Sequence, residues 1–361
     1  MQTRPELASG CRLMLGGDVM LGRMVGDAML RLGSDYPLAP VAALLRQGDL
    51  AMVNLECAIT ATTHRWPGAP KAFYFGAPPQ AAQTLADARI TLVSLANNHM
   101  LDFGVAGLFD TLRHLNAQGI RYAGAGATLQ DATAPVMIDC RGIRFGMAAF
   151  CDHQADFAAQ QNSPGIAYLD LDDEFAAVAV LRKALEPLRS AAVDWPILSL
   201  HWGPNMVLRP SIKFRRLAHA AVNMGWKILF GHSAHVFQGI EIYQGCPIIY
   251  AAGDLVDDYY VDPYFKNDRQ LLFEIELDRN TLRCIRLHPL LIKDCQTQFA
   301  AGEDAESAIT WMQAICREMG TLVQREGGGI LDCRNRSLTR FSEDLIKRII
   351  GGHWGRLPKL Q

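Results

Sequence analysis

The sequence predicts an α/β fold, and three observations lead there. Short apolar runs of strand length alternate with stretches of helical period along most of the chain. Half of the 361 residues are hydrophobic, which suffices for a large buried core and excludes a disordered chain. The residues that directly follow the apolar runs are carboxylates, amides and imidazoles, which places a ligand site at strand ends.

In chain order, residues 12–17 read as a strand ending at Asp18, 50–55 as one ending at Glu56, and 90–96 as one ending at Asn97, Asn98 and His99. A helix is predicted over 105–118, stopped by Gly119, before a brief strand at 120–123. Residues 135–139 and 143–150 face each other across Cys140-Arg141-Gly142 as a hairpin. A helix over 174–189 precedes a buried strand over 197–200 that ends at His201. A helix over 214–224, stopped by Gly225, leads to a strand over 227–230 ending at Gly231-His232. Two more hairpins pair 239–243 with 248–252 and 271–277 with 282–287. The alternation ends near 292, so the chain divides into a domain of residues 1–292 and a helical extension of 293–361, with helices at 303–324 and 342–350 around the loop Gly327-Gly328-Gly329. In the extension, Trp311, Met312 and Ile315 form an apolar stripe that serves either packing or a homodimer surface.

Composition narrows the function. Thirty-five basic residues against 37 acidic ones give a net charge of −2, with no electrostatic footprint for nucleic acid or anionic lipid. The apolar runs are too short for a membrane span, and residues 1–12 lack the apolar region of a secretory leader. Nine scattered cysteines without a CxxC pair read as reduced thiols, so the protein is expected in the cytoplasm. The glycine pairs lack a dinucleotide fingerprint, and neither a P-loop nor a serine nucleophile elbow is present.

Asp18, Glu56, Asn98, His99, His201, His232 and His235 all stand just past predicted strands, where an α/β sheet binds its ligands. Each has an ordinary reading: a turn-capping aspartate, a solvated glutamate, a turn asparagine, a hydrogen-bonded histidine. Two imidazoles in Gly231-His232-Ser233-Ala234-His235 after a buried strand are harder to explain so, since both would be desolvated. Together the strand ends would converge on oxygen and nitrogen donors suited to Mn, Fe, Zn or Co rather than Cu(I). His153 follows the apolar run 145–150 and could reach the same place to contact substrate.

These motifs resemble those of the CapA (poly-γ-glutamate capsule synthesis) family. The matching segments are Gly17-Asp18-Val19-Met20-Leu21-Gly22-Arg23, Asn54-Leu55-Glu56, Ala96-Asn97-Asn98-His99 with Asp102, His201-Trp202-Gly203 and Gly231-His232-Ser233-Ala234-His235. Gly239-Ile240-Glu241 and Ala252-Gly253-Asp254 also fit, so the resemblance runs in order from about 12 to 260. That family is similar to the calcineurin-like metallophosphoesterases. The resemblance therefore implies a two-sheet β-sandwich flanked by helices, with a dinuclear divalent-metal site at strand ends. It implies Asp18 on the first metal, Glu56 as the bridge, Asn98, His201 and His232 on the second metal, and His235 back on the first. It further implies that His99 acts on the scissile bond as general acid or charge stabiliser, oriented by Asp102, and that an inward-facing Arg23 binds a substrate oxyanion. Met20 stands where phosphoesterases carry the histidine of Asp-x-His. Glu56 replaces their aspartate, and two residues rather than one separate the last two histidines.

The function this implies is metal-dependent hydrolysis of a phosphoester on a small or polymeric anionic substrate, linked to poly-γ-glutamate or capsule and envelope metabolism. Two alternatives stand beside it: a non-hydrolytic accessory protein of the same biosynthesis, and an amidase acting on γ-glutamyl linkages.

Overall fold

The computed structural model describes residues 10–325 and 331–334. The glycine loop expected at 327–329 and the helix expected at 342–350 lie outside the described residues.

The core is a sandwich of two mixed sheets flanked by helices, as the family resemblance implies. In the larger sheet, Cys11–Val19, Leu50–Leu55, Leu92–Ser94 and Arg121–Ala123 run parallel in that order. On the other side of Cys11–Val19 lies the antiparallel hairpin Arg269–Leu277 and Leu282–Lys293. The smaller sheet has the order Ile240–Tyr243, Cys246–Ile249, Ile228–His232, Trp195–His201, Ile143–Cys151 and Val136–Cys140. Its four central strands are parallel, with an antiparallel strand at either side. Leu13, Leu15, Val53 and Val93 of the first sheet share one buried apolar cluster with Phe145, Met147, Ile197, Ile228 and Phe230 of the second. The helices Glu174–Ser190 and Ile212–Met224 cover the outer face of the smaller sheet, burying Leu181, Leu185, Leu188, Leu217 and Ala221 against Leu198, Leu200 and Leu229. Asp173 and Ser211 cap these helices by accepting from Ala176 N and Phe214 N.

Two departures from the sequence reading bear on the site. The strand ends that carry the polar residues do not line one sheet. Asp18 lies near the end of one strand of the larger sheet and Glu56 follows another, whereas His201 and His232 end strands of the smaller one. Hydrophobic periodicity reports that a strand is buried, not which sheet it joins. Secondly, a strand unrecognised in the sequence, Asp254–Val256, runs parallel to Cys11–Val19 and sets Asp254 opposite Asp18. With three residues it is too short for a periodic signal.

The boundary expected at 292 falls inside the strand Leu282–Lys293. The strands Gln296–Phe299 and Leu331–Arg334 then pair with it, so part of the expected extension belongs to the larger sheet. The helix expected at 303–324 spans Gly302–Glu318, with Met312 and Ile315 buried in the main core and Trp311 packed on it. Met312 and Ile315 of the apolar stripe thus serve internal packing, the first of the two roles expected for it. Among the described residues no helix is long and apolar enough to cross a membrane.

Candidate metal centre

Backbone register delivers the donors. Asp18 lies opposite both Asn54 and Asp254, and His201 lies opposite His232. The register of Cys11–Val19 against Leu50–Leu55 shifts between Leu15 and Asp18, an irregularity occupied by Gly16 and Gly17. A Cβ at Gly17 would stand 1.8 Å from Gly253 O, so only glycine lets Asp254–Val256 come alongside there. Asp18 N donates to Gly253 O at 2.8 Å across this close approach. On the other side, Gly231 is equally confined, since its Cβ would meet Tyr250 O at 2.0 Å. The turn after it holds Ser233 and His235 at φ of 94° and 57°, a left-handed conformation that is costly for residues with side chains. That turn aims Ser233 N at Asp18 Oδ2, 3.0 Å away, and returns His235 to the cluster.

Two groups of side chains offer donor atoms close enough to hold a metal ion: Asp18, His201 and His232, and Asp18, Glu56, His235 and Asp254. All six residues are buried. The groups share Asp18, whereas the resemblance implied Glu56 as the bridging residue. Glu56 still reaches across, with Oε1 3.6 Å from His201 Nε2. Asp254 is the donor that sequence reasoning missed. It was legible only as part of Ala252-Gly253-Asp254, and its carboxylate lies 2.9 Å from His235 Nδ1. It adds an oxygen to the group that, with Met20, lacks the histidine of Asp-x-His; Met20 Sδ instead accepts from Gly22 N at 3.2 Å.

Asn54, also unassigned from sequence, donates from Nδ2 to Asp18 Oδ1 at 2.7 Å. Asn97 holds Asn54 in turn, donating to its Oδ1 at 3.1 Å and to Leu55 O at 2.8 Å. Asn98 does not share that role, but its Oδ1 is buried without a hydrogen-bond partner, as are Glu56 Oε1 and Asp254 Oδ2. Buried oxygens without donors are costly, and a divalent cation held by the second group would satisfy those of Glu56 and Asp254.

The electrostatics agree. Burial, then the neighbouring Asp254, pushes Asp18 up to about 7. Burial pushes Asp254 up to about 8. Glu56 is driven well above its ordinary range by burial and by the charges of Asp18 and Asp254. The imidazoles move the other way. Burial lowers His232 to about 3, and burial with His232 beside it lowers His201 well below its ordinary value. His235 is lowered as well, again by burial. Acids that resist losing protons and imidazoles that stay neutral form a set short of positive charge, and neutral nitrogen with carboxylate oxygen is what a divalent ion coordinates.

His99 stands beside this set rather than in it. Its Nδ1 lies 2.6 Å from Asp102 Oδ2, its Nε2 3.9 Å from Glu56 Oε1, and its ring stacks on Phe75. Asp102 also accepts from Phe75 N at 2.7 Å and pairs with Lys71, a partner that the sequence reading did not find. Lys71 donates as well to Asn98 O. His153 pairs with Asp152 and meets His201 edge-on, with 5.7 Å between ring centroids, so it does reach the cluster. Arg23 is not turned inward. It begins the helix Arg23–Leu32, pairs with Asp258 at 3.3 Å and lies against the rings of Phe73 and Phe75.

A family model described as "Bacterial capsule synthesis protein PGA_cap" matches residues 12–259. The capsule biosynthesis protein CapA of Bacillus anthracis is 30% identical over 244 residues, 67% of this chain and 58% of the relative. The chain therefore spans less than two thirds of that relative's length. A "Probable polyglutamine synthesis accessory protein" of Mycobacterium tuberculosis is 28% identical, with 89% of this chain and 95% of the relative covered. Among solved structures, the sulfate thiohydrolase SoxB of Thermus thermophilus matches at a TM-score of 0.45 with 8% identity, covering 88% of this chain and 62% of that one.

Proposed function

The chain belongs to the bacterial capsule synthesis protein family PGA_cap, and from that premise we propose that it is a metal-dependent hydrolase of capsule or poly-γ-glutamate metabolism. The bond we assign is a phosphoester on an anionic substrate. One observation carries the reading: a buried carboxylate and imidazole cluster is flanked by His99, whose Nε2 faces Glu56 and whose Nδ1 is engaged by Asp102.

In this reading Asp18, Glu56, Asp254, His201, His232 and His235 hold the metal, and Asn98 offers an amide oxygen. Divalent ions bound there would supply Lewis acidity and a water that ionises near neutral pH. Asp102 fixes the proton of His99 on Nδ1 and leaves Nε2 directed at the reacting group. As a proton donor His99 must be imidazolium, a form that burial opposes, holding the ring at about 4. Asp102 and an anionic substrate favour that form. His153, beside His201, is assigned to substrate contact, and Arg23, held by Asp258, to the outer rim of the site rather than the reacting centre.

A second reading, a non-hydrolytic accessory protein, is favoured by the name of the mycobacterial relative, which matches nearly the whole chain. Metal analysis separates the two. Protein purified without chelator should carry about two equivalents of transition metal, the number a two-ion site takes, and His232→Ala with His235→Ala should lose them. Turnover of phosphomonoesters or phosphodiesters with Mn²⁺ should follow the metal. Wild-type protein that takes up no metal and binds polyglutamate without cleaving it would select the accessory reading, and release of glutamate from γ-glutamyl chains would select an amidase.

A further inference from the structure

Two thiols meet at the end of the sandwich away from the metal centre. Cys11 opens the strand Cys11–Val19, whose other end carries Asp18. Cys140 closes Val136–Cys140 and lies opposite Ile143, whereas the far end of the strand Ile143–Cys151 lies beside His201. The two Sγ atoms are 3.3 Å apart, although 129 positions separate them in sequence and they belong to different sheets. Cys11 is buried and Cys140 is partly exposed.

We propose that Cys11 and Cys140 form a dithiol–disulfide site that takes a low-molecular-weight disulfide as its oxidant and closes a covalent bridge between the two sheets. A disulfide places its sulfurs at about 2.05 Å, so the pair closes by a movement of roughly an ångström. The roles are unequal. Cys140 is reachable from solvent, and the hydrogen bond from Cys11, with Arg141 adding to it, holds its thiol below the ordinary range. Cys11 is shielded, and its hydrogen bond to Cys140 and burial keep its proton on until the partner has reacted.

The Cys140 thiolate attacks one sulfur of R–S–S–R, forming a mixed disulfide and releasing RS⁻, which takes up a proton. Cys11 then gives up its proton and attacks the Cys140 sulfur, breaking the mixed disulfide and releasing the second RS⁻, which is protonated in turn. Two protein thiols are oxidised to one disulfide while one small disulfide is reduced to two thiols. The bridge closes a long loop and ties the sheets at one end, so it restricts the unfolded chain while leaving the metal donors in place.

The test uses the full chain as purified, treated with oxidised glutathione, thiol-blocked, and digested without reductant. Mass spectrometry should find the Cys11 and Cys140 peptides linked, and the thermal midpoint should rise by about 5 °C, reversed by dithiothreitol. Cys140→Ser should abolish both the link and the rise. Cys11→Val, which keeps the buried position apolar, should leave a persistent glutathione adduct on Cys140. The proposal is overturned if wild type retains both thiols, if Cys140 stops at the glutathione adduct, or if either cysteine links elsewhere. A link without a rise in midpoint would refute the claim that it ties the sheets.

Discussion

His99 Nδ1 lies 2.6 Å from Asp102 Oδ2 while its ring lies flat on Phe75, with 3.8 Å between centroids. An ionised carboxylate only accepts, so Nδ1 carries the proton and Nε2 is left facing Glu56. Asp102→Asn keeps the shape and replaces one acceptor oxygen with a donor. Turnover should fall about 100-fold with metal content unchanged, and His99→Ala should cost about 10²- to 10⁴-fold, again with metal retained. Steady-state kinetics alongside elemental analysis measures both. An active His99→Ala would remove His99 from the chemistry.

Asp254 gives the second group a donor that the sequence reading did not assign. Asp254→Asn leaves the volume unchanged and removes the charge beside His235. Metal affinity should drop about 10- to 100-fold, read by competition with a chromogenic chelator. Unchanged affinity would show that His235 and Glu56 suffice.

Metal-stripped protein should become less stable as pH rises above 6.5. Folded Asp18 and Asp254 sit at about 7 and about 8 against an ordinary 3.8. The native state thus binds more protons than the unfolded chain, and stability is lost as pH rises through those values. The lowered imidazoles act oppositely, but only below their ordinary 6.5. Between about pH 6.5 and 8 the chelated protein's melting temperature should therefore fall, and saturating Mn²⁺ should abolish the fall. A midpoint that climbs with pH in chelator would contradict the assignment of buried acids.

Gly17→Ala should be among the most damaging single-methyl changes in the chain, because the added carbon meets a backbone carbonyl instead of a movable side chain. A loss of about 3 kcal/mol or more is expected, seen as reduced soluble yield and a lower denaturant midpoint. Wild-type stability would mean that Asp254–Val256 can move aside.

What the sequence disclosed followed from burial and chemistry together. Strands such as Trp195–His201 and Ile228–His232 are apolar runs that end abruptly in a histidine, so both the element and its candidate metal-binding residue could be read. The helices Arg23–Leu32, Ala39–Leu45 and Ala81–Asp87 lack a side-chain cap and an acidic first turn, and they went unread. Asp254 and Asn54 were missed as functional groups because their importance lies in register: each is defined by standing opposite Asp18. Lys71 is legible only in space, since it comes from a loop with no periodic pattern and pairs with Asp102 across 31 positions. Arg23 shows the converse. Its place in a motif suggested an inward role, and a neighbouring buried carboxylate, Asp258, claims it.

The donor set is divided by chemistry between the sheets. Asp18, Glu56 and Asp254 belong to the larger sheet or its loops, and His201 and His232 to the smaller. Burial favours the protonated form of the acids on one wall and the neutral form of the imidazoles on the other, so a divalent ion taken up here would displace protons from the carboxyl wall alone. Carboxylate changes should accordingly alter the proton release that accompanies uptake, and imidazole changes should weaken binding without altering it.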